Sequence, residues 1–99
     1  MSSFSLPEVK DFFDNRLIIS WNITQPPHLP PLKNLIIQIS SSPQLTFDPL
    51  QDPRLEITEL DGNDLIINWV IQRPEARTEV TISIQSKTLF EEYTLIICP

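Results

Sequence analysis

The chain has 99 residues, a formal net charge of −6 and a single cysteine, which bounds it to one domain with a core of its own and no internal disulfide. A single glycine leaves no room for a glycine-rich phosphate cradle, and ten prolines cut the chain into short pieces. The acidic balance disfavours nucleic acid and anionic membranes, both of which are bound through Lys and Arg. Ile, Leu, Val, Thr, Phe and Trp fill the apolar runs, Ala76 is the one alanine, and such residues favour pleated sheet over helix.

Residues 1–5 are expected to be flexible. Pro7 to Phe12 reads as a first strand with Val9 inward, and Asp14-Asn15 as a turn. Leu17, Ile19, Trp21 and Ile23 alternate with Ile18, Ser20, Asn22 and Thr24, the period of a half-buried strand. Pro26-Pro27-His28-Leu29-Pro30-Pro31 is a stiff connector. Lys33 to Ser40 forms the next strand, with Leu35, Ile37 and Ile39 toward the core; Ser40 to Pro43 break it. Leu45-Thr46-Phe47 reads as a short strand and Asp48 to Pro53 as a loop. Leu55 to Ile57 is a strand, and Asp61-Gly62 signals a hairpin into the next one. There Leu65, Ile67, Trp69 and Ile71 alternate with Ile66, Asn68, Val70 and Gln72. After the loop Arg73 to Arg77, Val80, Ile82 and Ile84 share one strand face. Residues 89–97 close the chain as a strand with Tyr93, Leu95 and Ile97 on one side, although 89–93 also suits a helical turn.

Two stretches of this chain repeat each other. Asn15-Arg16-Leu17-Ile18-Ile19-Ser20-Trp21-Asn22-Ile23 returns 48 residues later as Asn63-Asp64-Leu65-Ile66-Ile67-Asn68-Trp69-Val70-Ile71. Beyond the proline loop the offset becomes 45, matching Ile37 with Ile82 and Ile39 with Ile84. Each half therefore reads as a hairpin, a proline-marked loop and a third strand. Two copies are too few for a solenoid, which needs about three. They fit two sheets packed face to face.

Residues 17–86 resemble the immunoglobulin-like repeats found in tandem on bacterial proteins, the "conserved repeat" and NPCBM-associated modules. The matching features are the alternating strand Leu17–Thr24, the proline loop, Ser42-Pro43-Gln44-Leu45-Thr46-Phe47, the turn and Trp-bearing strand from Asp61 to Trp69, and Thr78 to Ile84. The Gly-rich loops of those repeats are missing here, and no secretion signal is visible. Fibronectin type III domains are a second analogue: the Trp21 strand fits, but their usual tyrosine near strand F has no clear counterpart. The resemblance implies an all-β, Ig-like (fibronectin type III-like) antiparallel β-sandwich of about seven to eight strands over residues 1–99. It implies no catalysis, and fold analogy alone assigns no function.

The residues offer little chemistry. His28 is the only histidine, so no histidine-based catalytic or metal cluster has a second member. Cys98 lies beside the last strand without a base near it in sequence. Ser40-Ser41-Ser42 lacks a nucleophile motif. The carboxylate pairs Glu91-Glu92, Asp61/Asp64 and Asp48/Asp52 read as solvated, because a glycosidase pair needs a cleft with one apolar wall. Asp61-Gly62-Asn63-Asp64 lacks the following Glu of an EF-hand. The sequon Asn22-Ile23-Thr24 sits in mid-strand. Trp21 and Trp69 share faces with aliphatic neighbours and belong to the core.

What remains is apolar and expected on outer faces: Ile18, Ile36, Ile66, Val70 and Ile96. Together with His28 and Leu29 in the stiff proline loop, Ile36, Ile66 and Val70 are the candidate partner-binding residues. The expected function is that of a non-catalytic protein-interaction or spacer module needing no cofactor, which meets another protein or a second copy through edge strands. The alternative is a small acidic inhibitor, phage or viral in type, that covers a basic site on its target; it needs acidic residues converging on one face. A complete chain of this kind is expected in the cytoplasm, and an excised one leaves the compartment open.

Overall fold

The computed structural model describes residues 4–24, 30–60 and 64–99. They form β1 (Glu8–Phe12), β2 (Arg16–Thr24), β3 (Leu32–Ser42), β4 (Arg54–Leu60), β5 (Asp64–Gln72), β6 (Thr78–Gln85) and β7 (Phe90–Ile97). No helix occurs among the described residues. The strands make two antiparallel sheets, one in the order β1-β2-β5 and the other in the order β4-β3-β6-β7. Against the expected seven to eight strands, the described residues form seven, because Leu45 to Phe47 contribute only a single bridge, Phe47 to Ile71.

Period-two alternation builds the core between the sheets. Leu17, Ile19, Trp21 and Ile23 of β2 and Ile67, Trp69 and Ile71 of β5 face Leu35, Ile37 and Ile39 of β3 and Val80, Ile82 and Ile84 of β6. Both tryptophans are buried. The indole Nε1 of Trp21 donates to Ser5 O at 2.7 Å, so its polar tip is satisfied inside the core. Ser5 Oγ in turn donates to Asn22 O at 2.7 Å, and Phe4 meets Trp21 edge-on with ring centroids 6.3 Å apart. Phe4 and Ser5, assigned by sequence to a flexible end, are thus docked; residues 1–3 lie outside the described residues.

The repeat acquires a geometric meaning in the sheet. The two copies are antiparallel neighbours, pairing Ile19 with Trp69, Ser20 with Asn68 and Trp21 with Ile67. Each tryptophan therefore lies opposite an isoleucine of the other copy, about a local twofold axis through Ser20 and Asn68. The offset-45 pair behaves likewise: Ile37 pairs with Ile84 and Ile39 with Ile82, about Gln38 and Ser83. Large rings meet β-branched side chains in this way, and such cross-strand pairs contribute about 0.2–1 kcal/mol each over alanine.

The symmetry stops at β4. The expected hairpin at Asp61-Gly62 would pair β4 with β5, but β4 pairs with β3, in the other sheet. The connection from Leu60 to Asp64 therefore passes between sheets. Its four residue steps reach about 14 Å, enough for the ~10 Å between stacked sheets. The turn itself, 61–63, lies outside the described residues. The first half does hold a hairpin: β1 pairs with β2, and Asp14 and Asn15 take left-handed backbone (φ 58° and 56°), which Asp and Asn tolerate. Residues 90–97 are strand, so the helical turn considered for 89–93 does not form. Asn34 is also left-handed (φ 54°), and the alternation of β3 shifts phase there, turning both Leu32 and Leu35 toward the core.

Candidate functional site

Ile36, Ile66 and Val70 do not come together. Ile66 and Val70 lie on the outer face of β5, Ile66 being 61% exposed and Val70 half-buried beside its partner Ile18. Ile36 is half-buried on the outer face of the opposite sheet, between Glu56 and Gln85. His28 and Leu29 lie outside the described residues. The sequence marked outer-face residues correctly, but a sandwich has two outer faces and alternation does not say which one a strand presents.

The two flanks of the sandwich, where strand edges meet solvent, differ more sharply. On one flank the connection between β3 and β4 lies along the edge of β5. Asp48 N donates to Val70 O at 3.0 Å and Gln72 N to Thr46 O at 2.9 Å. Gln51 completes the cover through its side chain: Val70 N donates to its Oε1 at 2.9 Å, and its Nε2 donates to Asn68 O at 3.4 Å. Arg16 anchors the same connection. Its Nη1 donates to Asp48 O at 3.2 Å and its Nε to Phe13 O at 3.3 Å, while the guanidinium lies 5.1 Å and 4.6 Å from the rings of Phe12 and Phe13. Backbone groups that would otherwise be a template for a foreign strand are thereby occupied along the second half of β5.

The other flank, between β1 and β7, is open at the end beside Val9 and Ile97. Val9 pairs with the buried Ile19 and so shares its inward side, as expected, yet it is 38% exposed. The segment before β1 docks further along this flank, with Phe4 and Ser5 on Trp21, whose ring meets Tyr93 of β7, and it leaves the end beside Val9 uncovered. A groove of about 240 Å³ runs there, lined by Val9, Leu17, Ile96, Ile97 and Cys98 with Lys10, Asp11 and Arg73 at one side. Arg73 Nη2 and Asp11 Oδ1 form a 2.7 Å ion pair across this end. Phe90 and Ile96, on the outward side of β7, are 62% and 44% exposed. Ile96 was visible in the sequence as an outer apolar residue; the groove was not, since it depends on which strands become edges.

Charge is spread rather than focused. Lys10, Arg16, Lys33, Arg54 and Arg73 each stand within 4.0 Å of a carboxylate. Among the carboxylates that form no ion pair with the described residues, Glu79 and Glu92 lie on the outer face of β6 and β7, Glu75 in the β5–β6 loop, Asp48 and Asp52 in the β3–β4 connection and Asp64 on β5. Glu91 accepts a 2.5 Å hydrogen bond from the Tyr93 hydroxyl. Burial, that bond and the charge of Glu91 push the Tyr93 pKa up to about 12. No group of three His, Cys, Asp or Glu side chains among the described residues is placed to hold a metal ion. Cys98 is exposed with a free thiol.

The chain matches no family model, no curated protein and no solved structure in comparisons with known proteins.

Proposed function

We propose that the chain is an Ig-like, fibronectin type III-like sandwich that serves as a non-catalytic protein-interaction module. The strand order supports the finer fold reading: a three-stranded sheet faces a four-stranded one in which the fourth strand sits beside the third, the position that Ig variable-type domains give to an added strand of the same sheet. The loose resemblance to bacterial Ig-like repeats rests on the same strands. One observation carries the interaction reading: besides Leu6, Phe13 and Leu50 outside the strands, four large apolar side chains stand exposed on strands themselves, Val9, Ile66, Phe90 and Ile96 at 38–62%. Strand-borne apolar groups at sheet edges are what β-mediated association uses.

The test is affinity capture from the native cell followed by crosslinking with mass-spectrometric site mapping. The reading expects one or a few proteins crosslinked next to these strands, and their loss when Ile66→Asp and Ile96→Asp are introduced into a folded chain. Identical capture by the variants, or none by the parent chain, counts against it.

A further inference from the structure

The open flank has a chemistry of its own, and from it we infer that β7 receives an extended segment of another protein as an added antiparallel strand, apolar on its inward side and basic on its outward side. The inference rests on the interaction-module reading and names the surface and the partner's character.

The four strand edges are not equivalent. β1 is short, begins after Pro7 and carries Glu8, Lys10 and Asp11; β4 begins after Pro53 and carries Arg54, Glu56 and Glu59. Proline, lysine and dense charge are the usual protections of an edge. The edge of β5 is occupied by the β3–β4 connection from Val70 onward. β7 is eight residues long, contains neither proline nor lysine, and ends in Thr94-Leu95-Ile96-Ile97 without a charge.

The direction of its free backbone groups follows from the hairpin. Ser86 N donates to Leu89 O at 2.8 Å, in the register that pairs Gln85 with Phe90. Odd-numbered residues of β7 therefore bond to β6, and Phe90, Glu92, Thr94 and Ile96 point their N–H and C=O groups outward. No backbone group of the described chain meets them, since β7 ends its sheet. A strand added here hydrogen-bonds to these four residues. Its inward side chains enter the groove beside Val9 and Ile97, which asks for apolar residues. Its outward side chains stand beside Glu92 and the nearby Glu79, which pairs with Ile96; among the described residues neither glutamate forms an ion pair. That charge, within a chain of net −6, favours a basic segment over a second copy of this acidic chain.

The experiment uses two synthetic peptides on the whole protein: acetyl-Val-Thr-Val-Thr-Val-Lys-Val-Lys-amide and its counterpart with glutamate for both lysines. Binding is followed by amide and methyl NMR shifts. The basic peptide is expected to shift the amides of β7 and the methyls of Val9, to bind at least tenfold more tightly than the acidic one, and to weaken with added salt. Thr94→Pro removes one outward N–H at a position an edge strand tolerates and should abolish the shifts. Glu92→Lys, an exposed change, should reverse the peptide preference, and unchanged tryptophan shifts show that each variant is folded. Equal binding of both peptides, shifts elsewhere, no shifts, or self-association of the free protein through the same amides each overturn the inference. A protein partner crosslinked to another face alongside such a failure leaves the interaction reading standing, whereas absence of any partner removes both.

Discussion

Tyr93 is the chain's only tyrosine, so its ionisation is observable without interference. Its folded pKa stands near 12, raised by burial first and then by the Glu91 hydrogen bond and charge, against about 10 in the unfolded chain. A raised folded value means that the unfolded state loses its proton first. The contribution of Tyr93 is therefore full below pH 10 and lost as pH rises from about 10 to about 12. Absorbance titration at the phenolate band should give a midpoint near 12 in the native protein, and Tyr93→Phe should flatten the fall of stability in that window. Arg16 makes the second residue-scale prediction. Its guanidinium joins the β1–β2 turn to the β3–β4 connection through two carbonyls and two rings, with its side chain only 15% exposed. Arg16→Gln should cost about 1–3 kcal/mol in denaturant unfolding. Arg54→Gln, which loses only an exposed pair with Glu56, should stay within about 0.5 kcal/mol.

At the scale of elements, the paired copies β2 and β5 separate packing from surface in the same strand. Trp69 is 2% exposed and its neighbour three positions back, Ile66, 61%. Trp69→Asp places a charge in the core and should unfold the domain. Ile66→Asp should cost no more than about 1 kcal/mol, the span of strand propensity, read by thermal and denaturant melts. Unfolding by Ile66→Asp contradicts the orientation of β5. Alternation made this much legible: the residues assigned by sequence to the inward faces of β2, β3, β5 and β6 lie in the core, except Leu65, which is half-buried and packs against it. Strand partnership was less legible, because pairing depends on residues far apart. Asp61-Gly62 carries a local hairpin signal, yet β4 joins β3, whose edge was free, while the β5 edge is filled by a connection from 46 to 51. The role of Gln51 as a substitute strand through its amide group left no mark in the pattern of the chain.

The whole molecule is a sandwich with one closed flank and one open flank. The closed side owes its cover to an eleven-residue connection, 43 to 53, that leaves its own sheet to bond to the other. The open side owes its groove to β1 and β7 both ending their sheets. The candidate residues on outer faces were readable from alternation, but the groove between Val9 and Ile97 was not, since β7 carries none of the proline or lysine that marks an edge strand in sequence. On this flank, among the described residues, the outward backbone of β7, the apolar side chains of Val9 and Ile97 and the carboxylate of Glu92 stand together.

Residue-resolved amide hydrogen exchange by NMR tests that asymmetry most directly. The open flank predicts an alternation along β7: Glu91, Tyr93, Leu95 and Ile97 slow, and Glu92, Thr94 and Ile96 fast. The closed flank predicts slow exchange at Val70 and Gln72, whose N–H groups are held by Gln51 and Thr46. Uniform protection along β7, or rapid exchange at Val70 and Gln72, would contradict the assignment of the flanks.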